Sequence, residues 1–164
     1  MTLNIASYSE DWRARLLSTF AHTPFALRCG QREIRCASVE GFWQGLKFPE
    51  GSLERERVFA LWGLEAKRAG TSAPPDDTIV FCGERARLGG VEHHALAEKA
   101  MRAKLEQNAD VRRALLETAG LALTHELVDE EGAPVPDSRT LPAAVFCAIW
   151  TKLRDEELRG NNPA

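Results

Sequence analysis

The segment Ser38-Val39-Glu40-Gly41-Phe42-Trp43-Gln44-Gly45-Leu46-Lys47-Phe48 sets a single acid among the aromatics Phe42, Trp43 and Phe48. Glu40 falls in the first turn of an expected helix, where an acid favours the helix dipole. Aromatic neighbours also shield a carboxyl group from water. A shielded carboxyl either keeps its proton to higher pH or, once ionised, faces a developing positive charge without competition from solvent. Residue type and position therefore give Glu40 two readings: a dipole partner above an aromatic core, or a reactive carboxylate. The other polar constellations are weaker. His93 and His94 are adjacent, so on a helix they project apart instead of sharing a ligand, and they read as a solvated helix start. His125 and Glu126 face opposite sides of an expected strand. There is no His-Glu-x-x-His, no Gly-x-Ser-x-Gly and no phosphate-loop pattern. Cys29, Cys36, Cys82 and Cys147 are scattered without a Cys-x-x-Cys pair. They read as reduced, mostly buried thiols of a cytoplasmic protein, not as zinc ligands.

The elements that must position Glu40 follow from periodicity and punctuation. Phe25–Cys29 and Arg32–Cys36 alternate around Gly30-Gln31 and predict a short hairpin. Ser38 then caps a helix whose apolar side carries Val39, Phe42, Trp43 and Leu46, ended by Pro49 and Gly51. Ser52 caps a longer helix running to Gly70. Thr78–Cys82 reads as a strand, Glu92–Gln107 as a helix, and Asn108 or Asp110 caps the next helix through Thr118. Leu121–Val128 alternates as a strand, and Pro142 opens a last helix with Val145, Phe146, Ile149 and Leu153 on its buried stripe. Trp62 and Trp150 are expected in the core, with surface anchoring the alternative. The tail from Gly160 should fray. Thr71–Asp77 and Asp129–Asp137 are surface loops too short to link domains. The expected architecture is a helix-dominated α+β fold of about five helices and a few short strands, with residues 1–164 forming one domain whose core spans about 17–158.

Length and composition limit the function classes. The 164 residues carry 21 Lys and Arg against 24 Asp and Glu, a formal net charge of −3. That balance gives no global attraction to nucleic acid or an anionic membrane. No apolar run approaches the ~20 residues of a membrane helix, and the N-terminus lacks the pattern of a signal peptide. Oligomeric state is not set by these features.

Several blocks together resemble the NADAR superfamily, also called YbiA-like. They are Leu17-Ser18-Thr19-Phe20, Pro24-Phe25, the Ser38–Phe48 segment, Ala66-Lys67-Arg68-Ala69-Gly70, Ala100–Asn108 and Leu115–Thr118. Family members typically read Leu-Ser-Asn-Phe, Pro-Phe and Ser-Val-Glu-His-Tyr-Trp-Gln-Ala-Gln-Lys-Phe. The resemblance implies a YbiA-like domain and an N-glycosidase that hydrolyses a ribosyl C–N bond. Its implied substrates are phosphoribosylated aminopyrimidine intermediates of riboflavin synthesis, or ADP-ribose attached to guanine or to a guanidine group. Nucleic acid would enter only as a modified substrate. By matching position, Glu40 is the catalytic carboxylate and Trp43 a stacking residue. Phe20, Gln44, Lys47, Arg68 and Lys104 are pocket or phosphate-binding residues. No metal or organic cofactor is implied.

The departures are specific. The family Asn is Thr19 here, and the His-Tyr after the acid is Gly41-Phe42. The C-terminal Trp-Gly-Asp-Gly of many members is missing; Glu130-Glu131-Gly132 and Pro136-Asp137-Ser138-Arg139-Thr140-Leu141-Pro142 stand in that region. Asp137 either replaces the lost acid as a second catalytic group, or turns and caps the chain with Ser138 and Thr140. A module that binds ADP-ribose or a nucleotide without cleaving it, or a partner-binding domain, is the alternative to an enzyme.

Overall fold

A computed structural model of the chain describes residues 1–161. Contacts group them into two compact units, Thr19–Asn108 and Met1–Ser18 with the chain from Ala109 onward. The fold is mixed and helix-dominated, as expected, with seven helices instead of about five among the described residues.

The Met1–Ser18 unit holds β1 (Thr2–Asn4), α1 (Trp12–Leu17), α6 (Ala109–Leu116), β6 (Ala122–Thr124) and α7 (Ala143–Asn161). The two strands pair in parallel, Leu3 opposite Leu123. The Leu121–Val128 expectation is thereby cut to three residues. Beyond Thr124 the Asn4 amide takes over from the backbone, donating to Glu126 O at 2.8 Å and accepting from Glu126 N at 2.7 Å. Trp150 is fully buried and its indole N–H donates to Leu17 O, which bears out its core assignment. Helix α7 continues through Gly160 to Asn161, where fraying was expected; the rest of that tail lies outside the described residues.

The Thr19–Asn108 unit opens with the expected hairpin, β2 (Phe25–Cys29) and β3 (Arg32–Cys36), turning at Gly30 with φ +60°. Next come α2 (Val39–Gly45), α3 (Leu53–Phe59), α4 (Gly63–Gly70), β4 (Thr78–Phe81), β5 (Glu84–Arg87) and α5 (Val91–Gln107). Phe42 is the hub of its core. The rings of Phe25, Phe59 and Phe81 lie 6.4, 5.8 and 5.4 Å away, edge-on or stacked, arrangements favoured by the ring quadrupole.

Three expectations fail here. The single helix from Ser52 to Gly70 is broken at Ala60–Trp62. Tertiary donors claim the carbonyls there: Ala37 N bonds Phe59 O at 2.8 Å and Ser38 Oγ bonds Leu61 O at 2.8 Å. Trp62 is 47% exposed instead of buried, stacked on His22 with ring centroids 4.1 Å apart. Cys29 and Cys82 are not free thiols but a disulfide, with Cα atoms 5.3 Å apart, inside the usual range. The two are separated by 53 residues and meet only because the hairpins bring them together. Cys36 and Cys147 are free. Burial raises both thiols, Cys147 to about 11.

Candidate active site on one face of helix α2

Helix α2 has two faces with different tasks. Val39, Phe42 and Leu46 point into the core, each at most 1% exposed. Glu40, Trp43, Gln44 and Lys47 follow the i, i+3, i+4, i+7 rule and share the other face. Lys47 lies just past the helix, in a tighter turn closed by Lys47 N to Gln44 O at 3.2 Å. Arg55 pins that turn from below. Its buried guanidinium donates to Leu46 O and Phe48 O at 3.0 Å each, and to Val80 O at 2.7 Å. The carbonyls on both sides of Lys47 are thus held by one residue, a role that nothing in the local pattern of Arg55 announces.

The N-terminus of α2 is capped by Ser38, whose Oγ accepts from Gly41 N at 2.8 Å. Glu40 is therefore not needed as a cap. Its Oε1 accepts from Gln44 Nε2 at 2.8 Å and its Oε2 from Thr19 Oγ1 at 3.0 Å, while its N–H donates to Thr19 O at 3.0 Å. Side-chain donors fix the carboxylate from two directions, and 9% of the residue stays accessible. Thr19 supplies the second of these donors. Gly41 is fixed by a close backbone approach. A Cβ there would overlap Leu61 O and approach Val58 O to 2.9 Å. At Gly70 of α4 a Cβ would overlap the Gln44 amide, so a side chain there would push Gln44 from its place.

The surrounding charges are unusual. Lys47 is half-buried; burial lowers its pKa and the Glu40 carboxylate partly restores it. Lys104, on α5, is fully buried, and burial lowers its ammonium to about 7. An amine held there can exchange a proton near neutral pH.

His93 was expected in a solvated helix start, and the structure places it otherwise. It is 1% exposed, and its ring lies parallel to Trp43 with centroids 3.6 Å apart. Burial, with smaller contributions from the charges of His94 and Lys47, lowers its pKa to about 4, so the ring is neutral. The one sequence signal available was the spacing of His93 from Ala97, Ala100 and Lys104, which puts His93 on the buried side of α5.

The remaining candidates are Phe20, Arg68 and Asp137. Phe20 is half-buried, and its carbonyl accepts from Gly63 N at 3.1 Å. Arg68 is exposed on α4. Asp137, in the other unit, is exposed. Its Oδ1 accepts from Ser138 N and from Ala143 N, the first residue of α7, at 2.9 Å each. Ser138 Oγ accepts from Leu141 N at 3.1 Å. These are bonds of a helix-capping turn. A cleft of about 360 Å³ opens between Phe25, Arg35, Cys36, Ala60 and Gln107, and none of the candidate residues lines it. Among the described residues no group of three or more His, Cys, Asp or Glu could hold a metal ion. Nor is any helix long and apolar enough to cross a membrane.

The solution structure of the E. coli protein YbiA superposes with a TM-score of 0.64 at 22% identity, covering 98% of this chain and 86% of that one. No curated protein sequence matches the chain. A family model described as Bacteriophage protein GP30.3 matches residues 11–155. The chain has a YbiA-like fold and belongs to the bacteriophage protein GP30.3 family.

Proposed function

We propose that the protein is an N-glycosidase of the NADAR type, hydrolysing the ribosyl C–N bond of an ADP-ribosylated or phosphoribosylated substrate. The observation that supports this best is the Glu40 carboxylate, nearly buried yet held by Thr19 and Gln44 as side-chain donors instead of capping its own helix. As the nitrogen leaves, the ribose carbon becomes cationic. A fixed carboxylate in a water-poor site stabilises that charge strongly. A carboxyl or a nearby amine also directs the proton of the attacking water; the buried Lys104 amine is the group of this unit suited to it. In this reading Trp43 borders the sugar or base, Gln44 orients the carboxylate, and Lys47 meets a substrate phosphate.

The alternative, a module that binds ADP-ribose without cleaving it, is favoured by one observation: the Asp137 oxygen is already engaged as a helix cap. A hydrolysis panel separates the two. ADP-ribosylated guanine DNA, ADP-ribosyl arginine and ribosylaminopyrimidine phosphates are offered to the wild-type chain, and free base or amine is measured. Release from at least one is expected. Ligand-induced thermal stabilisation without release from any of them establishes the binding module instead.

A further inference from the structure

His93 carries an atom that the fold leaves unsatisfied. Its Nδ1 accepts from Gly89 N at 2.9 Å, closing the start of α5. That bond makes Nδ1 the acceptor and leaves the proton on Nε2. Nε2 is buried and has no hydrogen-bond partner among the described residues. A buried donor left unpaired costs about 1–3 kcal/mol, so native proteins supply such a group with water, an ion or a ligand.

Its surroundings narrow the ligand. Trp43 covers one ring face in a parallel stack, so the ring is held and its Nε2 edge has a set direction. Lys47 stands four residues after Trp43, the residue on which the His93 ring is stacked, so the lysine and the histidine are both neighbours of that indole. The Glu40 oxygens already accept from Thr19 and Gln44. An acceptor for Nε2 beside a half-dehydrated ammonium is best supplied by an anion with several oxygens. We propose that His93 Nε2–H and the Lys47 ammonium together bind a phosphate group of the ribosyl substrate. Which substrate carries that phosphate rests on the glycosidase reading; the binding itself does not.

The geometry suits such a substrate. Glu40 and Lys47 are two helical turns apart, about 10 Å along the axis at 1.5 Å per residue. A span of that order matches a pentose with its anomeric carbon at the acid and its 5-phosphate at the base. The neutral ring acts as a donor only, adding direction to the charge that Lys47 brings.

The test observes the His93 ring directly. Imidazole ¹H–¹⁵N correlation spectra of the wild-type protein are recorded with ribose, ribose 5-phosphate, ADP-ribose and inorganic phosphate. The free protein should show the Nε2–H tautomer. Ribose 5-phosphate or ADP-ribose should shift the His93 Nε2 resonance, and ribose should not; the pair distinguishes a monophosphate from a diphosphate ligand. His93→Phe keeps a ring against Trp43 and should weaken sugar-phosphate binding ~10-fold or more, with thermal melting confirming the fold. Sugar-phosphate binding that leaves Nε2 unmoved, a response to inorganic phosphate alone, or no binding by any phosphate overturns the proposal. Hydrolysis with an unmoved His93 defeats this proposal and leaves the glycosidase standing. A His93 shift without hydrolysis of any substrate does the reverse.

Discussion

Glu40 and Asp137 are both acids at the start of a helix, and their oxygens serve different ends. Asp137 is exposed and spends its Oδ1 on backbone N–H groups, Ser138 N beside it and Ala143 N of the helix it opens. Glu40 makes no such bond. Ser38 caps its helix, and Glu40 is left to bond side chains, Thr19 and Gln44, on a face that also carries Trp43 and Lys47. An acid whose partners are backbone N–H groups of its own turn is explained by local structure. An acid relieved of that task by a neighbouring serine, yet kept out of water, calls for another explanation. The contrast gives Asp137 to helix entry and is the ground on which chemistry is proposed for Glu40.

The strongest structural challenge to that contrast is Gly41→Ala. The added methyl overlaps Leu61 O, which is immobile backbone. Destabilisation of about 1–3 kcal/mol is expected in a denaturant titration, because an overpacked contact has to be relieved by moving α2 against α3. A neutral result would mean that the close approach behind Glu40 is looser than described. Gln44→Leu preserves size and removes one donor from Glu40. Turnover should fall ~10-fold at unchanged melting temperature, while Asp137→Asn, measured beside it, should stay within about threefold. Equal losses from the two would erase the distinction between the acids. Asp137→Ala should reduce stability by about 1 kcal/mol through the lost cap, visible as a lowered melting temperature.

The effect that builds most gradually should come from acid. His93 is lowered from its ordinary 6.5 to about 4 in the fold. Between those values the unfolded chain binds the proton that the folded chain refuses, so stability falls as pH drops below about 6.5 and the loss levels off below about 4. Melting temperatures at pH 7, 6 and 5 should decline in the wild type and less steeply in His93→Phe. Identical slopes would place the ring in water.

The parts of this account legible in the sequence are those with local causes. The Ser38 cap, the Gly30 hairpin and the α5 boundaries depend on residues within a few positions of one another. Glu40 was legible because its acid sits within an aromatic block whose order resembles a known family. What escaped depends on distant partners. The break between α3 and α4 exists because Ala37 and Ser38 take carbonyl bonds at Phe59 and Leu61. The strand β1 is three residues long and pairs with a segment about 120 positions away, too short for any period to show. β5, Glu-Arg-Ala-Arg, has the composition of a solvated segment. His93 looks like a surface residue until Trp43 is laid against it, and the partner of Cys29 is likewise fixed only in three dimensions.

The most direct test of the central claim is the single-turnover rate of ribosyl C–N cleavage by Glu40→Gln and by the wild type, on one substrate and at saturating protein. Glutamine keeps the size of the side chain and removes its charge. A fall on the order of 10²-fold or more, with melting temperature and ligand binding retained, is the predicted result. Equal rates for the two proteins would contradict the assignment of the reaction to this carboxylate.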